Sequence, residues 1–216
     1  MRAGYGPGQD RQVLSRADVA AALDGFERRA APAGRGPAGR PLRPAAVAVT
    51  LVDAAGELAF LLTRRAADLR GHAGQWALPG GRIDPGEGVG EAARRELAEE
   101  LDLHLGPDAE LGLLDDYATR SGYVITPVVL WAGGDVALTP NPTEVAQVHR
   151  VPLRVIDVEP RFVTIPESDA PVIQLPLFGR FVHAPTGAVL YQFREVVLHR
   201  RATRVAHFEQ PVFAWR

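Results

Sequence analysis

An α+β fold built on a mixed β-sheet is predicted for this chain by three observations. Apolar, β-rich segments lie both before and after one central helix at about Val89–Leu101, they do not alternate with helices as a doubly wound sheet requires, and no internal repeat is present. The 216 residues, with 46% hydrophobic and 23% charged side chains, are enough to bury one sizeable core.

The elements follow in order. Met1–Asp10 holds three glycines and a proline and reads as frayed. Ser15-Arg-Ala-Asp18 is a helix start with a side-chain cap, and Val19, Leu23 and Phe26 continue at helical spacing toward an end near Ala30. Ala31–Pro44, with four prolines, three glycines, three arginines and no acid, reads as a linker. Residues 1–44 are therefore expected to form an N-terminal helix and Pro/Gly/Arg linker, and 45–216 the main domain. Ala45–Val52 and Leu58–Thr63 flank the turn Asp53-Ala-Ala-Gly56 as a hairpin. Residues 66–90, rich in Pro and Gly, read as loop. The Ala, Glu, Arg and Leu of 89–101 favour helix. Strands are expected at 111–119, 123–132 and 145–151, a short helix near 153–158, and further strands at 178–182, 189–198 and 205–213.

Composition excludes several chemistries. There is no cysteine, so disulfides, thiolate nucleophiles and sulfur-ligated zinc are ruled out. All 24 residues of the Lys+Arg total are arginine, so no Schiff base and no P-loop lysine can form. The net charge of −2 argues against a nucleic-acid-coating protein, although the first 44 residues carry eight arginines against four acids. No apolar run approaches the ~18–20 residues of a membrane span, no hydrophobic signal segment opens the chain, and a cytoplasmic location is expected. No Gly-x-Ser-x-Gly pattern supports acyl-enzyme hydrolysis.

The central helix carries Arg95, Glu96, Glu99 and Glu100. At 100° per residue the three glutamates share an arc of about 100°, where like charges destabilise the helix unless a cation compensates. Clustered hard oxygen donors without His or Cys suit Mg²⁺ or Mn²⁺; a merely solvated acidic face is the alternative.

Gly81, five residues, Glu87, seven residues and Arg95-Glu96-Leu97-Ala98-Glu99-Glu100-Leu101-Asp102-Leu103 resembles the Nudix box, G-x5-E-x7-R-E-U-x-E-E-x-G-U with U aliphatic. Only Asp102, where the family has glycine, departs. Asp tolerates the left-handed conformation needed there, so the turn is expected to survive. The resemblance implies a Nudix α/β/α sandwich preceded by the extra helix. It implies metal ligation by Glu96, Glu99 and Glu100, with the Gly80 carbonyl as a further ligand, and a supporting pair of Glu87 and Arg95. Nudix enzymes place the general base on this helix or on a distant loop, and Glu144 is the outlying acid nominated, ahead of Asp115 and Asp116.

Upstream, Leu61-Leu-Thr63-Arg-Arg65-Ala, Arg70, Gly74 and Leu78-Pro-Gly-Gly81 resembles the signature of Nudix coenzyme A pyrophosphatases, with Leu78 where that group has Phe. It implies Arg65, Arg70 and the Gly80-Gly81 pair as substrate contacts, with the arginine forks suited to phosphates. The group's C-terminal helix, opened by aromatic-Gly-x-Thr-Ala, is not found in the tail Arg204–Arg216. A strand-like tail ending in Phe213 and Trp215 is expected to re-line the pocket or to meet a partner subunit. His72 lies in the signature loop, and Trp76 is read as core.

These readings converge on a metal-dependent pyrophosphohydrolase that splits coenzyme A or an acyl-coenzyme A into 3′,5′-ADP and (acyl) 4′-phosphopantetheine. One alternative keeps the reaction but takes ADP-ribose, dinucleotides or nucleoside triphosphates. Another is a non-catalytic Nudix module that binds a nucleotide or a partner. A small-molecule nucleotide is the expected partner, without a membrane, and a homodimer through the N-terminal helix or the C-terminal strands is the expected assembly.

Overall fold

The computed structural model describes residues 14–31, 34, 36–39, 41–66 and 74–215. The frayed reading of Met1–Asp10 lies outside them. Helix α1 (Arg16–Asp24) opens on a capping box in which the Ser15 hydroxyl accepts the Asp18 N–H and the Asp18 carboxylate accepts the Ser15 N–H. It stops at Gly25, earlier than the expected Ala30, where the Gly25 N–H closes the last turn on Ala21.

Strands β1 (Arg43–Ala54) and β2 (Glu57–Arg65) form the expected hairpin. Residues 66–90 are not all loop: β3 (Trp76–Ala77) pairs with β2, and β4 (Gly80–Arg82) pairs with β1. Helix α2 spans Val89–Leu101. It ends at Asp102 in the left-handed conformation (φ 56°, ψ 32°), whose N–H bonds Ala98 O while Leu103 N–H reaches back to Leu97 O. Strands β5 (Glu110–Leu113), β6 (Tyr117–Ala118), β7 (Tyr123–Trp131) and β8 (Val145–Pro152) precede the short helix α3 (Leu153–Ile156).

These eight strands make one mixed sheet. Its spine runs β3-β2-β1-β7-β5, with β4 on β1, β6 on β7 and β8 on β2, and the β1–β7 pairing is parallel. Alternation along the strands feeds two cores. Phe60, Leu62, Val49 and Leu51 pack with α1 residues Val19 and Leu23. Ala59, Leu61, Ala46 and Ala48 pack with Ala92, Ala93, Leu97 and Leu101 of α2. The result is the expected sandwich of helices on a mixed sheet.

The last third differs from expectation. Strands β9 (Arg161–Ile165), β10 (Ser168–Leu177) and β11 (Arg180–His183) form a second, antiparallel sheet. Pro166, Pro171 and Pro176 interrupt the strand pattern of 161–177 and hide its two strands. Residues 189–198, expected as strand, belong to helix α4 (Thr186–Phe193) and its π-helical continuation Arg194–Leu198. Val189, Leu190, Phe193, Val196 and Val197 are all buried in the core beside α1, and a helix apolar on most sides has no period to betray it. A helix therefore does stand near the end of the chain. Residues 205–213 are not a strand either. They touch β10 through one bridge, Val172 to Glu209, and finish in a 3₁₀ turn at Val212–Ala214.

Candidate active site

The site is assembled around a glycine pair. Gly80 sits at φ 153° and pairs with Val47; a Cβ on it would meet Ala46 O at 2.3 Å and Val47 Cα at 2.7 Å. Only glycine lets β4 approach β1 this closely. Gly81 faces α2 instead, and its missing side chain leaves the room that the Glu96 carboxylate occupies.

Arg95 organises the acids. Its Nε donates to Glu87 Oε1 (2.8 Å) and its Nη2 to Glu87 Oε2 (3.1 Å) and to the Arg82 carbonyl (2.9 Å). Its Nη1 donates to Glu96 Oε1 (2.9 Å) and Glu99 Oε2 (3.0 Å). Glu87 also accepts the Asp84 N–H (2.9 Å), and these bonds, Arg95 first, hold its carboxyl below the ordinary range. The guanidinium is correspondingly raised, chiefly by Glu87.

Glu100 is 3% exposed on the same helix. Burial, reinforced by the Glu96 charge and opposed by Arg65 and the Gly80 backbone N–H, pushes its carboxyl up to about 8. Burial likewise raises Glu96 against the pull of Arg95. Both feel the charge of Glu144. Glu144 is brought there by the loop after β7, whose Thr139 and Asn141 N–H groups bond the Leu101 and Glu100 carbonyls (both 2.9 Å) at the end of α2. The Glu144 carbonyl accepts the Ala66 N–H (2.9 Å), which ties the same loop to the end of β2. Glu87, Arg95, Glu96, Glu99, Glu100, Glu144, Arg65, Gly80 and Gly81 thus share one neighbourhood.

The donor chemistry fits a divalent cation. The available groups are hard carboxylate oxygens, one of them buried with its charge poorly compensated. Among the described residues no three His, Asp or Glu side chains form a ready-made metal cage; Glu96 and Glu99 both accept from Arg95 Nη1.

A cavity of about 430 Å³ opens beside Gly80. Arg64 and Arg65 of β2, Trp76 and Leu78 form one side, and Tyr123 and Ile125 of β7 another. The chain's last third closes it with Arg180, Phe181, His183, Val189, Gln210 and Phe213. Trp76 is half-buried here, edge-on to His149 at 5.0 Å, so it both packs on the core and lines the cavity. Phe213 re-lines the cavity as expected of the tail, whereas Trp215 lies under the Arg120 guanidinium at 4.5 Å.

Arg70 and His72 lie outside the described residues. Asp115 and Asp116 are committed elsewhere: Asp115 accepts from Arg204, Gln192 and Arg29 N, and Asp116 from Arg28, Thr126 and Ala31 N. Sequence reasoning missed Arg180 and Gln210. No motif marks either, and only the return of the last third to the sheet brings them to the cavity.

The family model of the NUDIX domain matches residues 41–173. The uncharacterized Nudix hydrolase NudL of Photorhabdus laumondii is 42% identical over 95 residues, covering 44% of this chain and 51% of that protein. NudL of Yersinia pestis (strain Pestoides F) is 38% identical over 112 residues, covering 51% and 56%. The chain spans about half the length of these curated relatives. The crystal structure of RenU, a Nudix hydrolase from M. smegmatis, superposes with TM-score 0.51 at 22% identity over 79% of this chain and 97% of that one. A MutT/nudix family protein from Enterococcus faecalis gives 0.55 at 16% identity over 74% and 62%. At those identities the two structures establish the shared fold. Among the described residues no helix is long and apolar enough to cross a membrane.

Proposed function

Because the chain belongs to the Nudix family, we propose that it is a divalent-metal-dependent pyrophosphohydrolase acting on a nucleoside diphosphate linked to another group. The substrate we favour is coenzyme A or an acyl-coenzyme A, split into 3′,5′-ADP and (acyl) 4′-phosphopantetheine. The observation that carries this reading is the acidic face of Glu96, Glu99 and Glu100, with Glu144 near enough for its charge to act on Glu96 and Glu100, beside Gly80 of an arginine-bearing cavity.

Glu96, Glu99 and Glu100 would hold Mg²⁺ or Mn²⁺, with the Gly80 carbonyl as a further donor. When bound, the ion supplies charge neutralisation between carboxylates and phosphates, and Lewis acidity at the phosphoryl oxygens. Arg65 binds the pyrophosphate and orients it with its planar fork, and Arg70 is proposed as its companion. Glu144 accepts the proton of the attacking water. A new P–O bond then forms from that water, the bridging P–O bond breaks, and the leaving phosphate departs with the electron pair. Arg95 holds Glu87, Glu96 and Glu99 in position throughout. The Leu61–Gly81 signature supports coenzyme A over ADP-ribose, dinucleotides and nucleoside triphosphates.

The test is a screen of the purified protein with Mg²⁺ and with Mn²⁺ against coenzyme A, acetyl-coenzyme A, ADP-ribose, NADH and nucleoside triphosphates, with the phosphomonoester products separated by chromatography. Selective cleavage of coenzyme A or its thioester is expected. Turnover of another compound would keep the hydrolase and discard the coenzyme A assignment, and silence on all of them would favour a binding module.

A further inference from the structure

Deepening that reading, and resting on it for the reaction, we propose that Phe213 is a specificity-determining residue whose ring stacks on the nucleobase of a nucleotide held in the cavity beside Gly80. Phe213 is 59% exposed, the most exposed large hydrophobic side chain among the described residues, yet it lines the cavity that also contains Arg65 and Gly80. An aromatic ring left in water at the mouth of a binding cavity has an unfilled face to offer a ligand.

The neighbouring tail residues fix it there. Buried Glu209 accepts both Arg120 Nε bonds (3.2 and 3.1 Å), and the Arg120 N–H donates to Gln210 Oε1 (2.7 Å). The Trp215 indole donates to the Gln210 carbonyl (2.8 Å) and lies against the Arg120 guanidinium. Upstream, the Tyr117 hydroxyl donates to the Phe208 carbonyl (2.8 Å), and the Ala214 N–H closes a turn on Pro211 (2.8 Å). Phe213 is therefore bracketed by fixed residues on both sides. His183 meets its ring edge-on at 5.5 Å and 90°, and burial pushes the His183 imidazole below its ordinary range.

The surrounding chemistry selects a heterocycle over an alkyl arm. Gln75, Ser121 and the Gln210 amide line the same cavity, the Gln210 Oε1 being held by Arg120 N–H and the neighbouring Thr119 hydroxyl being taken by Tyr123. An acyl chain would cover such groups without pairing them, and a pantetheine arm, whose amides could pair them, has no π-face for Phe213, whereas a base presents ring nitrogens and exocyclic groups to amides and hydroxyls while its face meets the aromatic ring. Arg64 spends its Nε on the Gly74 carbonyl (3.2 Å), and Arg180 has no ion-pair partner among the described residues, so cationic groups are available for the phosphates of the same ligand. The volume, about 430 Å³, lies within the roughly 300–1,000 Å³ of small-molecule sites.

The experiment is calorimetric titration of the full chain with adenosine 3′,5′-bisphosphate and, separately, with 4′-phosphopantetheine. Phe213→Ala and Phe213→Leu are each expected to weaken the bisphosphate about 5–100-fold, and Phe213→Tyr to restore it, with phosphopantetheine unaffected throughout. The Leu variant keeps an apolar side chain without a π-face, and thermal melts check that all three fold. Unchanged nucleotide affinity in Phe213→Ala, weakening of phosphopantetheine instead, or no measurable nucleotide binding by the unaltered chain would each overturn the proposal. If the unaltered chain cleaves nothing in the screen but binds the bisphosphate through Phe213, the hydrolase reading fails and the subsite stands. Cleavage of coenzyme A with Phe213-independent nucleotide binding keeps the hydrolase and removes the subsite.

Discussion

The carboxylate of Glu96 lies in the space that a side chain on Gly81 would fill: a Cβ there would meet Glu96 Oε1 at 2.2 Å and Cδ at 2.5 Å. The obstructing atoms are the tip of a flexible side chain, so Gly81→Ala is expected to displace Glu96 at small cost to the fold. Displacing a metal-holding carboxylate should weaken apparent Mn²⁺ affinity about 10–100-fold. A Mn²⁺ titration of activity alongside circular dichroism checks this, and wild-type metal dependence would refute the assignment of Glu96. Gly80→Ala meets the backbone of Ala46 and Val47 instead and should unfold the β4 pairing.

Arg95 satisfies four partners with one planar group: Glu87, Glu96, Glu99 and the Arg82 carbonyl. Lysine would keep the charge but lose the fork. Arg95→Lys is therefore expected to lower kcat about 10–100-fold with little change in KM. A rise in KM with unchanged kcat would mean that Arg95 binds substrate and does not position the carboxylates.

The box helix was legible because its chemistry is local. Gly81, Glu87 and the run Arg95–Glu100 have fixed spacing, and even the departure at Asp102 adopts the left-handed turn that its short polar side chain tolerates. The hairpin of β1 and β2 was legible for the same reason, through two apolar, β-rich runs around the turn Asp53–Gly56. Helix α4 was not, because burial on nearly every side removes the period by which a helix is recognised, and its Val189, Val196 and Val197 are strand formers by propensity. Phe213 could be expected at the pocket from the apolar tail, but Arg180 and Gln210 could not: they arrive through the second sheet and the tail, contacts of long sequence separation that no local pattern encodes. Glu144 could be nominated as an outlying acid, but what carries it to Glu96 and Glu100 is the pairing of Thr139 and Asn141 with the end of α2.

Glu100 combines near-complete burial with two neighbouring acids, Glu96 and Glu144. Glu100→Gln is isosteric, removes the ionisable group that burial disfavours, and keeps an oxygen for the Gly80 N–H. Metal-free, this variant is expected to melt higher than wild type, by on the order of 1 kcal/mol in stability. Its turnover should fall more than about 100-fold. Differential scanning calorimetry in chelator and an activity assay in Mg²⁺ read the two effects separately. A variant of near-normal turnover would remove Glu100 from the metal-holding set.

The tail that carries Phe213 depends on a pair whose strength varies with pH. Burial works to raise the Glu209 carboxyl, but hydrogen bonds from Arg120 and from the Gln210 N–H outweigh it and hold the group below its ordinary 4.5. A carboxyl depressed in the folded state stabilises that state above the unfolded pKa, and the contribution is lost as pH falls through the folded one. Glu209→Gln leaves Arg120 without its anion, so it should cost about 1–3 kcal/mol at neutral pH. The gap in melting temperature between wild type and variant should be full at pH 7 and narrow as pH falls below about 4.5. Because Gln210 and Phe213 follow directly and line the cavity, the same variant should weaken substrate binding more than turnover. Calorimetry across pH checks the first expectation, and a melting gap independent of pH would show that the Arg120–Glu209 pair does not stabilise the tail through charge.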